Sequence, residues 1–571
     1  MKKNIKKLLL LTAVVMTAMV CLSFGTSAVT EGYFTYEVEN GEATLTRVDY
    51  SISGDAVIPD ALGGYKVTAI GNSAFDFCSD LTSVIIPDGV TTIGEYAFDC
   101  CLSLTSITIP DSVITIGAYA FSECTSLESI TIPDSATTIG DYVFNNCYGL
   151  KSITVDEDNQ YFSSDEYGVL FNKDKTTLLK YPVGNFRTDY IIPDGVTVIG
   201  AEAFCCCDWL ESITIPDGVT TICEYAFSSC SAIMSITIPN SVTTIGNSAF
   251  SYCANLMGII IPDGVTTIGN STFSYCESLT SVTITDGVTT IGKNAFGCCV
   301  SLTSITIPNS VTTIGNSAFS YCESLKSITV PNRVATIGEA VFYCCDGLEN
   351  ITIPDSVTEI GENAFYCCKS LESITIPDSV TTIGAYAFSE CTSLESITIP
   401  DSVTTIGKNV FIDCESLKSI TVDKDNQYFS SDEDGVLFNK DKTTLIKYPV
   451  GNIRTTYIIP STVTTISDGA FYSCDYFTSI IIPDSVITIG NTVFSKCTGL
   501  ESVTIGKGVT TIGDSAFRDC DNLTSVTIPD SVTVIKGYAF SYCNSLMSVR
   551  IGDGVQKSVM VLLDIARTLQ I

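Results

Sequence analysis

The chain has 571 residues, 45% of them hydrophobic, with 29 Lys and Arg against 63 Asp and Glu. A net charge of -34 argues against a nucleic-acid partner, because phosphate binding needs a basic surface. The sequence contains no histidine, which removes Ser-His-Asp and Cys-His nucleophile systems, HExxH metalloproteases and every His-ligated metal site.

Lys2, Lys3, Lys6 and Lys7 form a positive head before an apolar run from Leu8 to Leu22. Gly25, Thr26, Ser27 and Ala28 then supply small residues for cleavage after Ala28. Residues 1–28 therefore read as a secretory signal peptide, with an apolar core short for a membrane span. Its removal takes away four Lys and no acid, moving the net charge from -34 to -38. No later apolar stretch is long enough for a transmembrane segment in the mature chain. Residues 29–54 read as an N-terminal hairpin cap, with two strands between Tyr33 and Val48 around Asn40-Gly41.

From residue 55 to 555 one repeat accounts for nearly everything. A Phe, usually preceded by Ala, marks each coil: Phe75 to Phe144, Phe204 to Phe411 and Phe471 to Phe540, always 23 residues apart within a series. That gives 18 marks, separated by two gaps of 60 residues. Residues 152–182 recur almost letter for letter at 419–449, a segmental duplication. In the coil marked by Phe98, the spacing L-x-x-I-x-I of Leu104, Ile107 and Ile109 ends in a short strand. Its Ser106 and Thr108 point outward. Pro110 and Asp111 end that strand. Val113, Ile116, Ala120 and Phe121 return to the core. Gly117 and its equivalents occur in 15 of the 18 coils, which suggests a bend with positive φ. A single coil cannot bury its own apolar edge, so stacked neighbours must.

The pattern L-x-x-I-x-I-P followed by I-G-x-x-A-F-x-x-C resembles the BspA-like (Treponema-type) leucine-rich repeat family of secreted and cell-surface bacterial proteins. The resemblance implies a repeat solenoid of right-handed leucine-rich-repeat type, β-rich with short helical turns, with about 18 coils of 23 residues. Long coils are expected around 156–192 and 423–459. Residues 556–571, where the repeat gives way to an apolar sequence, read as a C-terminal cap or a truncated end.

Every marker Phe has a Cys three positions later, from Cys78 to Cys543. The expectation is a column of small, buried, reduced thiols, with a disulfide ladder as the rival. C-x-x-C spacing is absent, so no metal is expected there. The Asp after the strand Pro, as in Asp111 and Asp401, reads as a solvated turn rather than a calcium site. No catalytic residue, cofactor or metal is assigned.

The residue between the two inward strand positions is Thr in 14 coils. Thr237, Thr283, Thr306, Thr329, Thr352, Thr375 and Thr398 make the candidate binding face, although Thr also suits a strand surface with no ligand. The second candidate is the hairpin GVLFNKDKTTL of each long coil, with Lys173, Lys175, Lys440 and Lys442. The family resemblance implies an exported, non-catalytic recognition or adhesion protein at the cell surface. Its partner would be a protein or surface polymer of host matrix, mucosa or other bacteria. An envelope structural protein without a ligand is the alternative, and a secreted enzyme the third reading.

Overall fold

A computed structural model describes residues 28–555 and 557–558. The signal-peptide reading of 1–28 and the C-terminal reading of 556–571 fall outside them, apart from Ala28, Lys557 and Ser558. The chain divides into two compact units, residues 1–186 with 201–204, and residues 187–200 with 205–571.

The first unit opens with β1 (Val29–Glu31), β2 (Phe34–Glu39) and β3 (Glu42–Val48), antiparallel in sequence. Asn40 and Gly41 both take positive φ, 54° and 85°, as a two-residue hairpin turn of twisted strands requires. β3 then pairs in parallel with Tyr65–Ile70, which joins the hairpin to the first coil.

The coils that follow are β-solenoid turns. In the coil containing Phe121, Leu104, Ile107, Ile109, Val113, Ile116, Ala120, Phe121 and Cys124 are all buried. Strand Ser106–Thr108 pairs in parallel with Leu81–Ile85 one coil back. A second short strand, Thr115–Ile116, pairs with both Thr92–Ile93 and Thr138–Ile139. The marker rings stack coil upon coil, with Phe98 and Phe121 at 5.5 Å and 9°. Ring stacking adds about 0.5–1.5 kcal/mol per pair beyond the area buried. In the second unit the same ladders recur, as between Ser281–Ile284 and Ser304–Thr306.

The short helical turns expected from the resemblance are absent: among the described residues there is no helix. The reason lies in the backbone of I-G-x-x-A-F-x-x-C, which passes through left-handed φ twice per coil. Tyr96 and Cys100 are both at 56°, and Tyr119 and Glu123 at 56° and 57°. An α-helix needs an unbroken right-handed run. Here Tyr96, Phe98 and Cys100 donate instead to Ala118, Ala120 and Ser122 of the next coil, at 2.8–3.0 Å. Asp99 and Cys101 donate three residues back, to Tyr96 and Phe98. Backbone donors thus alternate between turn and ladder.

The conserved-position glycine also has a different cause from the one expected. Gly117, Gly140 and Gly315 are not among the positive-φ residues. A Cβ on Gly117 would stand 2.6 Å from the Glu95 nitrogen, and one on Gly315 would stand 2.6 Å from that of Lys293. Close approach of adjacent coils, not a left-handed bend, excludes larger residues.

Among the described residues the turns number about 22, not 18. Two of the additional coils lack a marker Phe. Tyr181 and Tyr448, each 23 residues before a marker Phe, take its place. Tyr181 stacks on Phe204 at 5.3 Å and Tyr448 on Phe471 at 5.3 Å. The preceding Ala is replaced by Lys180 and Lys447, both buried. Their ammonium groups donate to the carbonyls of Glu202 (2.9 Å) and Gly469 (3.1 Å). Each long coil also carries the antiparallel hairpin that its sequence implies, Leu170–Asn172 with Thr177–Lys180 and Leu437–Asn439 with Thr444–Lys447.

Candidate functional site

All seven candidate threonines are exposed. Thr283, Thr306, Thr329 and Thr352 lie in one five-stranded parallel sheet built from Gly258–Ile261, Ser281–Ile284, Ser304–Thr306, Ser327–Thr329 and Asn350–Thr352. Thr283 is in register with Thr306, and Thr329 with Thr352. One coil step is about 4.8 Å, so the four hydroxyls form a row at that spacing. Thr237 and Thr375 sit beside isolated bridges, Ser235 to Gly258 and Ser373 to Ser396, rather than in strands. Thr398 belongs to a separate pair, Ser396–Ile399 with Ser419–Val422. A neighbouring row, Thr280 and Thr303, gives its hydroxyls to the carbonyls of Met257 and Thr280 one coil back. The outward row faces solvent.

The candidate lysines are largely engaged with their own hairpins. Lys173 donates to the Asn159 carbonyl, and Lys440 to that of Asn426. Lys175 and Lys442 stand over the rings of Phe171 and Phe438, at 5.7 and 5.6 Å. Beneath them Asn159 is fully buried; its amide donates to Pro133 and Ala136 and its oxygen accepts from Tyr161 and Phe162. Asn426 repeats that arrangement.

The cysteine column is buried throughout. Most of its thiols share one kind of partner, the carbonyl of the marker Phe one coil back. Cys124 donates to Phe98, Cys253 to Phe227 and Cys276 to Phe250, at 3.1–3.2 Å. Burial pushes the thiols of Cys147, Cys253, Cys414 and Cys474 up to about 12, so they stay protonated and unreactive. Among the described residues, one group has three metal-type ligand atoms within 4.8 Å of one another: Asp76, Asp99 and Cys100. Burial and its neighbour Asp99 raise the Asp76 carboxyl, and burial raises the Asp99 carboxyl and the Cys100 thiol.

Sequence reasoning missed a second surface on the same coils. The left-handed turns of residues 225–343 line a groove of about 650 Å³. Its walls are Tyr, Ser, Asn, Gly, Ala and Cys side chains, without one charged residue. Tyr252, Tyr275 and Tyr321 occupy the position two residues after the marker Phe and stand 51%, 41% and 42% exposed. The signal was present as the recurrent A-F-S-Y-C, but it is overshadowed by the larger Phe and Cys periodicity. No helix among the described residues is long and apolar enough to cross a membrane.

The sequence profile described as BspA type leucine rich repeat region (6 copies) matches residues 62–168, 197–326, 312–433 and 452–558. No curated protein matches the chain. A leucine-rich repeat protein of Bacteroides ovatus is 27% identical over 80% of this chain and 95% of its own, with a TM-score of 0.41. A leucine rich cell surface protein of Faecalibacterium prausnitzii is 22% identical over 96% of this chain and 95% of its own, with a TM-score of 0.36. The profile covers well over half the chain, and its period is that of the buried Leu, Ile, Phe and Cys positions described above; the chain belongs to the BspA-type leucine-rich repeat family.

Proposed function

We propose that this chain is an exported, non-catalytic recognition or adhesion protein that binds a macromolecule through the Ser/Thr strand face of its coils. The observation that carries the reading is the five-stranded sheet with Thr283, Thr306, Thr329 and Thr352 in one exposed row. No single coil offers an enclosed pocket there, so affinity must sum small contributions over several coils. The partner is a protein or surface polymer of host matrix, mucosa or another bacterial cell. The acidic chain accepts a cationic or neutral partner more easily than a polyanion. Export follows from the N-terminal segment, and secreted protein should begin at Val29 by intact mass; retention of Met1 would refute cleavage.

Capture of extracellular-matrix and mucin components on immobilised protein tests the function. Replacing Thr306 alone with Lys should change affinity less than threefold. Replacing Thr283, Thr306, Thr329 and Thr352 together with Lys should weaken binding at least tenfold without altering the circular dichroism. Unchanged binding by that folded variant removes the site from this sheet. Failure to capture any component favours the second reading, an envelope structural protein.

A further inference from the structure

The groove of residues 225–343 combines three properties that folding does not require. First, it is uncharged in a chain of net charge -34. Two acids beside it, Glu277 and Glu323, are exposed and lie close enough to help hold the Cys298 thiol above its ordinary value, after burial. A hydroxyl-lined floor is therefore bordered by negative charge. Second, it continues across the six coils marked by Phe227 to Phe342, roughly 25 Å at one coil step of about 4.8 Å. Third, its phenols stand at a turn position that other coils fill with other residues. Tyr252, Tyr275 and Tyr321 have φ of 59°, 59° and 58°. Every marker coil holds a non-glycine residue in that region at this place, among them Cys298, Glu390 and Asp413, so the coil sets the left-handed backbone and leaves the side chain open. Serine fills the same place at Ser229 and Ser473, so the fold does not demand tyrosine.

We propose that this groove is a binding site for a neutral, extended polysaccharide, separate from the Thr face. Phenol and serine hydroxyls can donate to and accept from sugar hydroxyls. The Tyr252 and Tyr275 rings stack on each other at 4.5 Å and 4°, which presents their edges and hydroxyls to the ligand as a rigid comb. Tyr supplies this contact with little side-chain entropy to lose. Six coils read six successive segments of a repeating polymer, whereas a monosaccharide would engage only one or two. Carboxylate- or sulfate-bearing polymers are repelled by Glu277 and Glu323, and they find no cation in the groove wall.

The test is affinity electrophoresis of the full chain in native gels containing galactomannan, mixed-linkage β-glucan or soluble starch, with heparin and polygalacturonate as anionic counterparts. The expected result is retardation by at least one neutral polymer and by neither anionic one. The triple variant Tyr252→Ser, Tyr275→Ser, Tyr321→Ser should lose at least tenfold in affinity. Its thermal unfolding should stay close to that of the parent, because Ser229 shows that serine is accepted at the same backbone conformation. The Thr283, Thr306, Thr329 and Thr352 to Lys variant should be retarded like the parent, which separates this site from the strand face. The proposal is overturned by no retardation in any neutral polymer, by tighter binding to an anionic one, or by unchanged retardation of the folded triple variant.

Discussion

Removing one thiol from the column should have an effect that depends on pH, with a sign fixed by the burial of the thiol. Cys253 is buried, donates to the Phe227 carbonyl at 3.1 Å, and has its pKa raised from 9.0 to about 12 by burial. A group whose folded pKa is raised contributes its full stability below the unfolded value and loses it as pH rises toward the folded one. The window is therefore pH 9 to about 12. At pH 7, Cys253→Ala leaves a small void and removes one of the two hydrogen bonds that the Phe227 carbonyl accepts, the other coming from the Cys230 N–H, together about 1–2 kcal/mol of destabilisation. At pH 10 the thiol of the parent is ionised only when unfolded, which costs the parent about 1.4 kcal/mol and costs the alanine variant nothing. The deficit of the variant should therefore fall to near zero at pH 10. Cys253→Ser retains a donor but does not titrate, so it should show the same pH dependence as the alanine variant from a smaller deficit. Urea unfolding with reductant, followed by far-ultraviolet circular dichroism at both pH values, gives the midpoints. A deficit at pH 10 equal to or larger than at pH 7 would refute the argument, because the thiol would then have to ionise as easily folded as unfolded.

Other substitutions probe the coil contacts directly. Gly315→Ala should destabilise by about 2 kcal/mol or more, since its Cβ would meet the Lys293 nitrogen at 2.6 Å. Gly297→Ala meets nothing closer than 3.4 Å and should be nearly neutral in the same urea melt. Asn159→Ala removes two donated and two accepted hydrogen bonds at a fully buried site, and should cost about 3 kcal/mol in thermal or urea unfolding. Lys173→Ala, which removes an exposed side chain from the Asn159 carbonyl, should cost less than 1 kcal/mol in that assay.

The parts of the fold legible in the sequence are those set by burial with a fixed period. Leu104, Ile107, Ile109 and Phe121 recur because each must fill the same place in the next coil, so their spacing reads directly as stacking. The parts that were misread depend on backbone geometry that side-chain period does not encode. Gly117 has the same letter whether it bends with positive φ or admits a neighbouring chain, and only the 2.6 Å distance to Glu95 decides between them. The short helical turns were expected from the family resemblance, not from the residues of the turn. The alternation of inter-coil and three-back hydrogen bonds is a property of adjacent coils, invisible in one.

The two candidate faces differ in the same way. An outward Thr can be read from strand alternation alone, and Thr306 is exposed as that alternation requires. That exposure, however, follows from the strand whether or not a ligand exists. The tyrosine groove is the reverse case: its residues could not be placed from the repeat, yet their identity is not explained by the fold. Ser229 satisfies the position that Tyr252 occupies, at the same φ of 59°, and no charged side chain enters a wall that spans 225–343. A choice that packing leaves open, made in three of these six coils, is better evidence for a ligand than a choice that packing already explains.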